Sequence, residues 1–309
     1  MLHGVVCGGD VQISGAPPAG DRRVDVRTHL HPPRLRRPVP AGRPIAAVRW
    51  NGGGFTATER DGSVHVDFED VGHFRILTGV TPVEIHAHPS PGAGEALAPL
   101  LVAGAVLAIA LGVRSIPLLH ASAVALGDVA LITVGPSGVG KSTVAGLLSS
   151  AGALMIADDA VRVQHIDGKP VVHHGASHLR LRPAAAALAP QLDGATVDGG
   201  DERVTVAAPA TDRLTVPLRA VVVPRWTEGL DVPVVTRLSP HEAFCRVVGA
   251  PRVAGWQVPG PLREHFDLAV TVTATVPAWE LELPRTDFTD RTLGRRVRQA
   301  LEDAGALAS

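Results

Sequence analysis

The chain contains no tyrosine, and aromatic residues make up only 3% of its 309 positions. Single-stranded nucleic acids are gripped by stacking bases on exposed rings, so that class of binder is excluded first. The net charge is -1 and no long basic block occurs, which removes the electrostatic footprint of any nucleic-acid partner. The two cysteines, Cys7 and Cys245, lie far apart without metal-ligand spacing, usage that fits a reducing, cytoplasmic setting. The N-terminus has neither the charged start nor the apolar run of a secretory signal. The longest charge-free stretch, Ala96 to Val113, is eighteen residues. Its Pro99, Gly104, Gly112 and many alanines leave it weakly apolar and at the short limit for a bilayer span. It is expected to be a buried helix beside the domain that follows, with a membrane segment as the alternative.

Lysine is scarce too, with two against 27 arginines. One of the two closes Gly135-Pro136-Ser137-Gly138-Val139-Gly140-Lys141-Ser142-Thr143, a G-x-x-x-x-G-K-[ST] pattern that follows the apolar run Val129 to Val134. A buried strand feeding such a loop, with a helical pattern after it, is the context of a phosphate-binding loop. The glycines let successive backbone N–H groups point at an anion, and the helix beginning near Gly140 adds its positive end. Lys141 would reach the outer phosphates and the Ser142 hydroxyl would take a position on Mg²⁺. The expected ligand is a nucleoside triphosphate; the alternative is a Gly-rich turn without one.

The apolar content of 45% and charged content of 19% are those of a folded soluble protein. Residues 1 to 44 are rich in Pro, Gly and Arg, with short runs at Val11-Gln12-Ile13 and Val24-Asp25-Val26. The basic cluster Arg34, Arg36 and Arg37 reads as a solvated linker or as a docking patch for an acidic partner. From Ile45 to Ala87 short alternating runs follow, with Asn51-Gly52 and Asp61-Gly62 as hairpin turns. That pattern predicts an antiparallel meander, and residues 1–92 are assigned to a small β-rich N-terminal unit. Residues 93–309 form the expected nucleotide-binding α/β domain. Its strands are predicted at His120 to Val124, Val129 to Val134, Leu154 to Ala157, Val161 to His165, Val171 to His173, His178 to Leu181, Leu218 to Val223, Val234 to Leu238 and Val270 to Val276. Helices are predicted from Gly140 to Ser150, Pro240 to Val248 and Phe288 to Ala304, the last with Asp287 as N-cap. Residues 190 to 212 read as a long polar excursion.

Asp158 and Asp159 end an apolar strand, at the carboxyl edge where open α/β sheets place their chemistry. Aspartates there can hold Mg²⁺ or take a proton from an attacking hydroxyl; helix capping or turn chemistry is the plainer alternative. His120, at the start of the paired strand, is either a satisfied core histidine or a catalytic one. The pairs His29-x-His31, His86-x-His88 and His173-His174 lack a carboxylate or cysteine partner at recognisable spacing and are expected to face solvent. His173 and His174 are weighed as lining the acceptor side.

The segment from His120-Ala121 through the loop to Ala157-Asp158-Asp159-Ala160-Val161 resembles the catalytic core of the HPr kinase/phosphorylase family. The resemblance implies a P-loop domain with the mixed sheet of the HPr-kinase and phosphoenolpyruvate-carboxykinase type. It implies ATP and Mg²⁺ as cofactors, Asp159 as the base that activates an acceptor hydroxyl, and Asp158 near the metal. His120 would assist, and Lys141 would stabilise the transferring phosphoryl group. The nucleotide would lie on Gly135, Ser137, Gly138, Val139, Gly140, Lys141, Ser142 and Thr143, and the metal on Ser142 and Asp158. Arginine stands in Leu179-Arg180-Leu181-Arg182-Pro183 where that family carries a metal-site glutamate, and only Pro251-Arg252 and Val258-Pro259-Gly260-Pro261 answer to its Pro-Val-Arg-Pro-Gly-Arg loop. The chain is more similar to the HPr-kinase-like proteins of peptide natural-product pathways, including lasso-peptide kinases, in its Leu-His-Ala-Ser-Ala-Val strand and Leu-Arg-Leu segment. The resemblance implies a kinase for a serine-type hydroxyl of a peptide or protein, with oligomers common among relatives; from composition, no nucleic-acid or membrane partner is expected. A nucleotide-dependent binding module and a carboxykinase-like small-molecule enzyme are the alternatives.

Overall fold

The computed structural model describes residues 1–11, 16, 18, 20–35, 41–50, 53–93, 97–197, 202–286 and 288–307. The expected features at Gln12-Ile13, Arg36, Arg37, Asn51-Gly52, Ala96 and Asp287 lie outside them.

The alternating runs of the first ninety residues fold as one seven-stranded sheet. Its strands are β1 (Cys7–Gly9), β2 (Val26–Leu30), β3 (Arg43–Trp50), β4 (Gly53–Arg60), β5 (Ser63–Phe68), β6 (Gly72–Leu77) and β7 (Val83–Pro89). Strands β3 to β7 form the predicted antiparallel meander, and β2 then β1 add in parallel to β7. The β4–β5 hairpin turns through Asp61 and Gly62 at φ of 47° and 71°, the left-handed pair that a two-residue hairpin loop requires. Val64, Val66, Phe74, Ile76, Val83 and Ile85 alternate onto one face and are buried.

That face is covered by the charge-free segment, which is helical through α1 (Leu97–Leu101), a π-helical turn (Val102–Val106) and α2 (Leu107–Gly112). Val102, Val106, Leu107, Ile109 and Leu111 share the sheet's core. The segment is a buried helix, and among the described residues no helix is long and apolar enough to cross a membrane.

The rest of the chain is a mixed α/β assembly. Its elements are β8 (Ala121–Leu126), β9 (Val129–Val134), α3 (Lys141–Ser150), β10 (Leu154–Ala157), β11 (Val163–Ile166), β12 (Lys169–His173), β13 (Leu179–Leu181), a 3-10 helix (Pro183–Gln191), β14 (Ala195–Val197) and β15 (Val204–Ala207). They continue through β16 (Thr215–Thr227), β17 (Val234–Arg237), α4 (Pro240–Val248), α5 (Pro259–Thr275), β18 (Ala278–Pro284) and α6 (Leu293–Asp303). The large sheet runs β10-β8-β9-β16-β12-β11, and the upper part of the thirteen-residue β16 also pairs with β18, which pairs with β17. Period-two alternation buries both faces. Val124, Leu131 and Val222 pack with Val144 and Leu148 of α3 and Val297 of α6. Ala123, Ile132 and Val221 pack on the other side with Val247 of α4 and Ala269 and Val272 of α5.

Three predicted elements are corrected. Val270 to Val276 is not a strand but the end of α5. The Val/Thr composition favours a strand, yet Leu268, Ala269 and Val272 form a buried helical stripe. The threonines turn their hydroxyls back onto the helix, Thr271 to the Asp267 carbonyl at 2.6 Å, Thr273 to Ala269 at 2.8 Å and Thr275 to Thr271 at 2.9 Å. The last helix begins at Leu293, not Phe288: Asp290 makes an Asx-type turn ahead of it, its carboxylate accepting the Thr292 N–H at 2.8 Å, and Thr292 is the N-cap. The excursion at 190 to 212 carries β14 and β15, which pair with β13 in a three-stranded sheet.

The α5 assignment has a direct test. Val272→Ala should cost ~2 kcal/mol in chemical unfolding, since it empties a fully buried position. Val270→Ala, at an exposed position, should stay within about 0.5 kcal/mol. In a strand the two positions would share one face and cost similar amounts.

Candidate functional site

Topology alone brings the predicted residues together. Strand β8 is antiparallel to both β9 and β10, so β9 and β10 point the same way and end at one edge. The loop after Val134 and the Asp158-Asp159 pair after Ala157 therefore emerge side by side, and His120, just before β8, starts at that edge. A cavity of about 430 Å³ opens there, lined by His120, Lys141, Ser142, Asp158 and Asp159, and by Ser137, Gly138, Gly140 and Thr143 of the loop.

The loop can take its shape because glycine stands where φ is left-handed. At Gly140 φ is 101°, and a Cβ there would meet the Trp226 indole nitrogen at 2.6 Å. That indole N–H donates to the Val139 carbonyl at 2.8 Å, holding the back of the loop against β16. Gly135 and Val139 face the interior of the loop and do not line the cavity: the Gly135 carbonyl, like that of Pro136, accepts from Lys141 Nζ at 3.0 Å. Lys141 is buried, and desolvation lowers its pKa to about 8 against the opposing pull of Asp159 and Asp158.

Asp158 is the knot of the site. Its Oδ1 accepts the Ser122 hydroxyl at 2.6 Å and the Ser142 hydroxyl at 2.9 Å, and its Oδ2 accepts the Arg180 N–H at 3.1 Å. Burial raises its pKa even so. A carboxylate and a hydroxyl oxygen this close, at the mouth of the phosphate loop, are hard oxygen donors suited to Mg²⁺, an ion that keeps most of its shell as water and phosphate oxygen.

Asp159 has φ of 69°, which turns its side chain out of the strand direction and into the cavity. Its Oδ2 accepts from Arg252 Nη2 at 2.6 Å, and its Oδ1 lies 3.3 Å from His120 Nδ1. Burial would raise its pKa, but Arg252 and then His120 outweigh it and hold the carboxyl well below the usual range. His120 is thus tied to Asp159, also approaching its backbone carbonyl at 3.2 Å.

The predicted residues His120, Ser137, Gly138, Gly140, Lys141, Ser142, Thr143, Asp158 and Asp159 converge. His173 and His174 do not join them, and they are not solvent-facing. Both are buried, His173 against Gln164 at 2.8 Å and His174 against the Thr211 carbonyl at 3.0 Å. His29, His31, His86 and His88 are also half-buried and stacked on one another.

Arg252 and Ser122 carry no local sequence signal. Arg252 reaches Asp159 across 93 positions, and only the loose Pro251-Arg252 analogy pointed to it. Ser122 is a lone serine in an apolar strand. Arg182 donates to the Ser137 hydroxyl at 3.3 Å, and Arg180, Arg203, Arg285, Trp226 and Phe288 complete the lining. Four arginines and Lys141 face two aspartates there, an excess of positive charge matched to a polyanion.

No protein-family model matches the chain, and no curated protein matches it. Among solved structures it is similar to the Hpr(Ser) kinase/phosphatase from Coxiella burnetii, over 60% of this chain and 98% of that one, at 10% identity and a TM-score of 0.30. Similarity at that level carries no argument about activity.

The position of Lys141 yields a pH prediction. An ammonium at Lys141 that takes a phosphate would lose its charge as pH rises through about 8. Affinity of the free protein for nucleotide should therefore fall above pH 8, and Lys141→Met should bind more weakly with that pH dependence gone. Equal slopes for both proteins in equilibrium binding would contradict the assignment.

Proposed function

We propose that the chain is an ATP- and Mg²⁺-dependent kinase that transfers the γ-phosphoryl group to a serine-type hydroxyl of a peptide or protein. The observation that carries this reading is the convergence of a phosphate loop, a Ser142–Asp158 oxygen pair and an Asp159 carboxylate on one cationic cavity. The Leu119 to Val124 and Leu179 to Leu181 segments, similar to those of peptide-pathway kinases, favour a precursor peptide as acceptor.

In this mechanism the loop amides and Lys141 hold the β- and γ-phosphates. Ser142 and Asp158 would hold Mg²⁺, which supplies charge neutralisation between the phosphates. Asp159 accepts a hydrogen bond from the acceptor hydroxyl and aims its oxygen at the γ-phosphorus. As the oxygen–phosphorus bond forms, the bond to the β,γ-bridging oxygen breaks, ADP leaves, and the hydroxyl proton passes to Asp159. A carboxylate held at low pKa is a weak base, which suffices because a loose phosphoryl transition state asks for positioning more than for proton abstraction. Arg252 and His120 fix the Asp159 rotamer for that task.

The test is transfer from γ-labelled ATP to serine-containing peptides. Asp159→Asn should lower transfer by about 10²-fold or more while leaving nucleotide affinity within about threefold. Lys141→Ala should lower transfer by about 10²- to 10³-fold. Native-rate transfer by Asp159→Asn removes the base from the scheme, and tight ATP binding without transfer to any peptide would favour a nucleotide-gated binding protein.

A further inference from the structure

The second chemically distinctive region is the face of the seven-stranded sheet opposite its core, and it is independent of the phosphoryl-transfer reading. Because Val26, Thr28, Val83, Ile85, Phe74, Ile76, Val64 and Val66 turn inward, the alternate residues project to the other side. Among them are His29 and His31 of β2 and its end, Glu84, His86 and His88 of β7, His73 of β6 and His65 of β5. Six of the fourteen histidines thus share one sheet face. The register sets His29 opposite His86 and His73 opposite His88.

We propose that this face binds a divalent transition ion of the Zn²⁺ class through His29, Glu84 and His86. One ligand atom from each of the three lies within 4.8 Å of the other two. His86 Nε2 is 3.2 Å from Glu84 Oε2, and the His29 and His86 rings stack at 4.6 Å with an interplanar angle of 12°. Bonds of ~2.0 Å to a common ion place tetrahedral ligand atoms about 3.3 Å apart, which small side-chain rotations reach from here.

The second observation concerns unmet hydrogen-bonding groups. His29 Nε2 is buried without a hydrogen-bond partner among the described residues, as are His73 Nδ1 and His88 Nδ1 on the same face. Buried ring nitrogens left unpaired are costly, and metal ligation removes that cost. The partner that ligation requires is also present: His31 Nε2 lies 3.0 Å from His86 Nδ1. With the ion on His86 Nε2, the Nδ1–H donates to His31 and fixes the tautomer, as outer partners of metal-bound histidines do.

Imidazole nitrogens with one carboxylate select Zn²⁺, Cu²⁺ or Ni²⁺ over Mg²⁺, so this site and the Ser142–Asp158 pair take different ions. Its consequence is mechanical: the ion joins β2 to β7 and so anchors the N-terminal strands to the meander.

The experiment is calorimetric titration of Zn²⁺ into the full chain in saturating Mg²⁺, on a Cys245→Ser background, because Cys245 Sγ sits 3.8 Å from His241 Nε2 and offers a competing site. One equivalent should bind and raise the unfolding temperature. His86→Ala, and separately the near-isosteric Glu84→Gln, should weaken that binding by about tenfold or more, each with the circular dichroism of the parent. Should His86→Ala fail to fold, Glu84→Gln decides. Absence of saturable uptake at micromolar Zn²⁺, or affinity in Glu84→Gln within about threefold of the parent, overturns the proposal.

Discussion

One buried carboxylate holds the candidate site together. Asp158 sits at the end of β10 and draws in the Ser122 hydroxyl from β8, the Ser142 hydroxyl from α3 and the Arg180 N–H from β13. A buried aspartate without such donors would neutralise itself or unfold its surroundings. With them it welds four elements at the point where the phosphate loop begins its helix, and burial still leaves its pKa raised. The arrangement is therefore poised: a cation arriving at Asp158 and Ser142 would relieve the desolvation that the three hydrogen bonds only partly offset.

Its neighbour is controlled from much farther away in sequence. Asp159 is gripped by Arg252, and Arg252 in turn lies close under the helical segment that covers the N-terminal sheet. A Cβ at Gly104 would sit 3.2 Å from Arg252 Nη2 and 3.8 Å from Asp159 Oδ2. Gly104 belongs to the π-helical turn at Val102–Val106, and such turns often accompany functional sites because they shift a helix face by a fraction of a turn. Here the turn, with a glycine in it, lets the helix approach the Asp159–Arg252 pair. The helix whose apolar side is the lid of the N-terminal core is thus also a wall behind the candidate base, a physical link between the two sheets.

What could be read from the sequence was what short-range rules determine. The loop glycines, Lys141, Ser142, the strand ending at Ala157 and the Asp pair follow from local pattern, and so do the meander and the helix over Pro240 to Val248. What could not be read depends on distant partners. Arg252 has no spacing relation to Asp159. Helix α5 looks like a strand until its buried stripe and back-bonded threonines are seen, because packing overrides β-branched propensity when one helical face is covered. The histidine pairs looked like isolated i, i+2 repeats, and only the parallel addition of β2 to β7 sets them in one row.

Charge in the cavity orders the events of binding. Lys141 is turned back on the Gly135 and Pro136 carbonyls, so the loop satisfies its own cation while Arg180, Arg182, Arg203 and Arg285 line the cavity around it. A phosphate oxygen offers Lys141 a full negative charge in place of two carbonyl dipoles, turning an ion–dipole contact into an ion pair. Arginine at position 180, where the motif resemblance implies a metal-binding acid, would put a fixed guanidinium in place of a carboxylate. Guanidinium pairs with phosphate in a planar, bidentate way that a hydrated ion does not impose. The cavity therefore suits a ligand whose negative charges lie along an extended chain of oxygens, and the Ser142–Asp158 pair lies at the loop end of that chain, where the reacting phosphate would be.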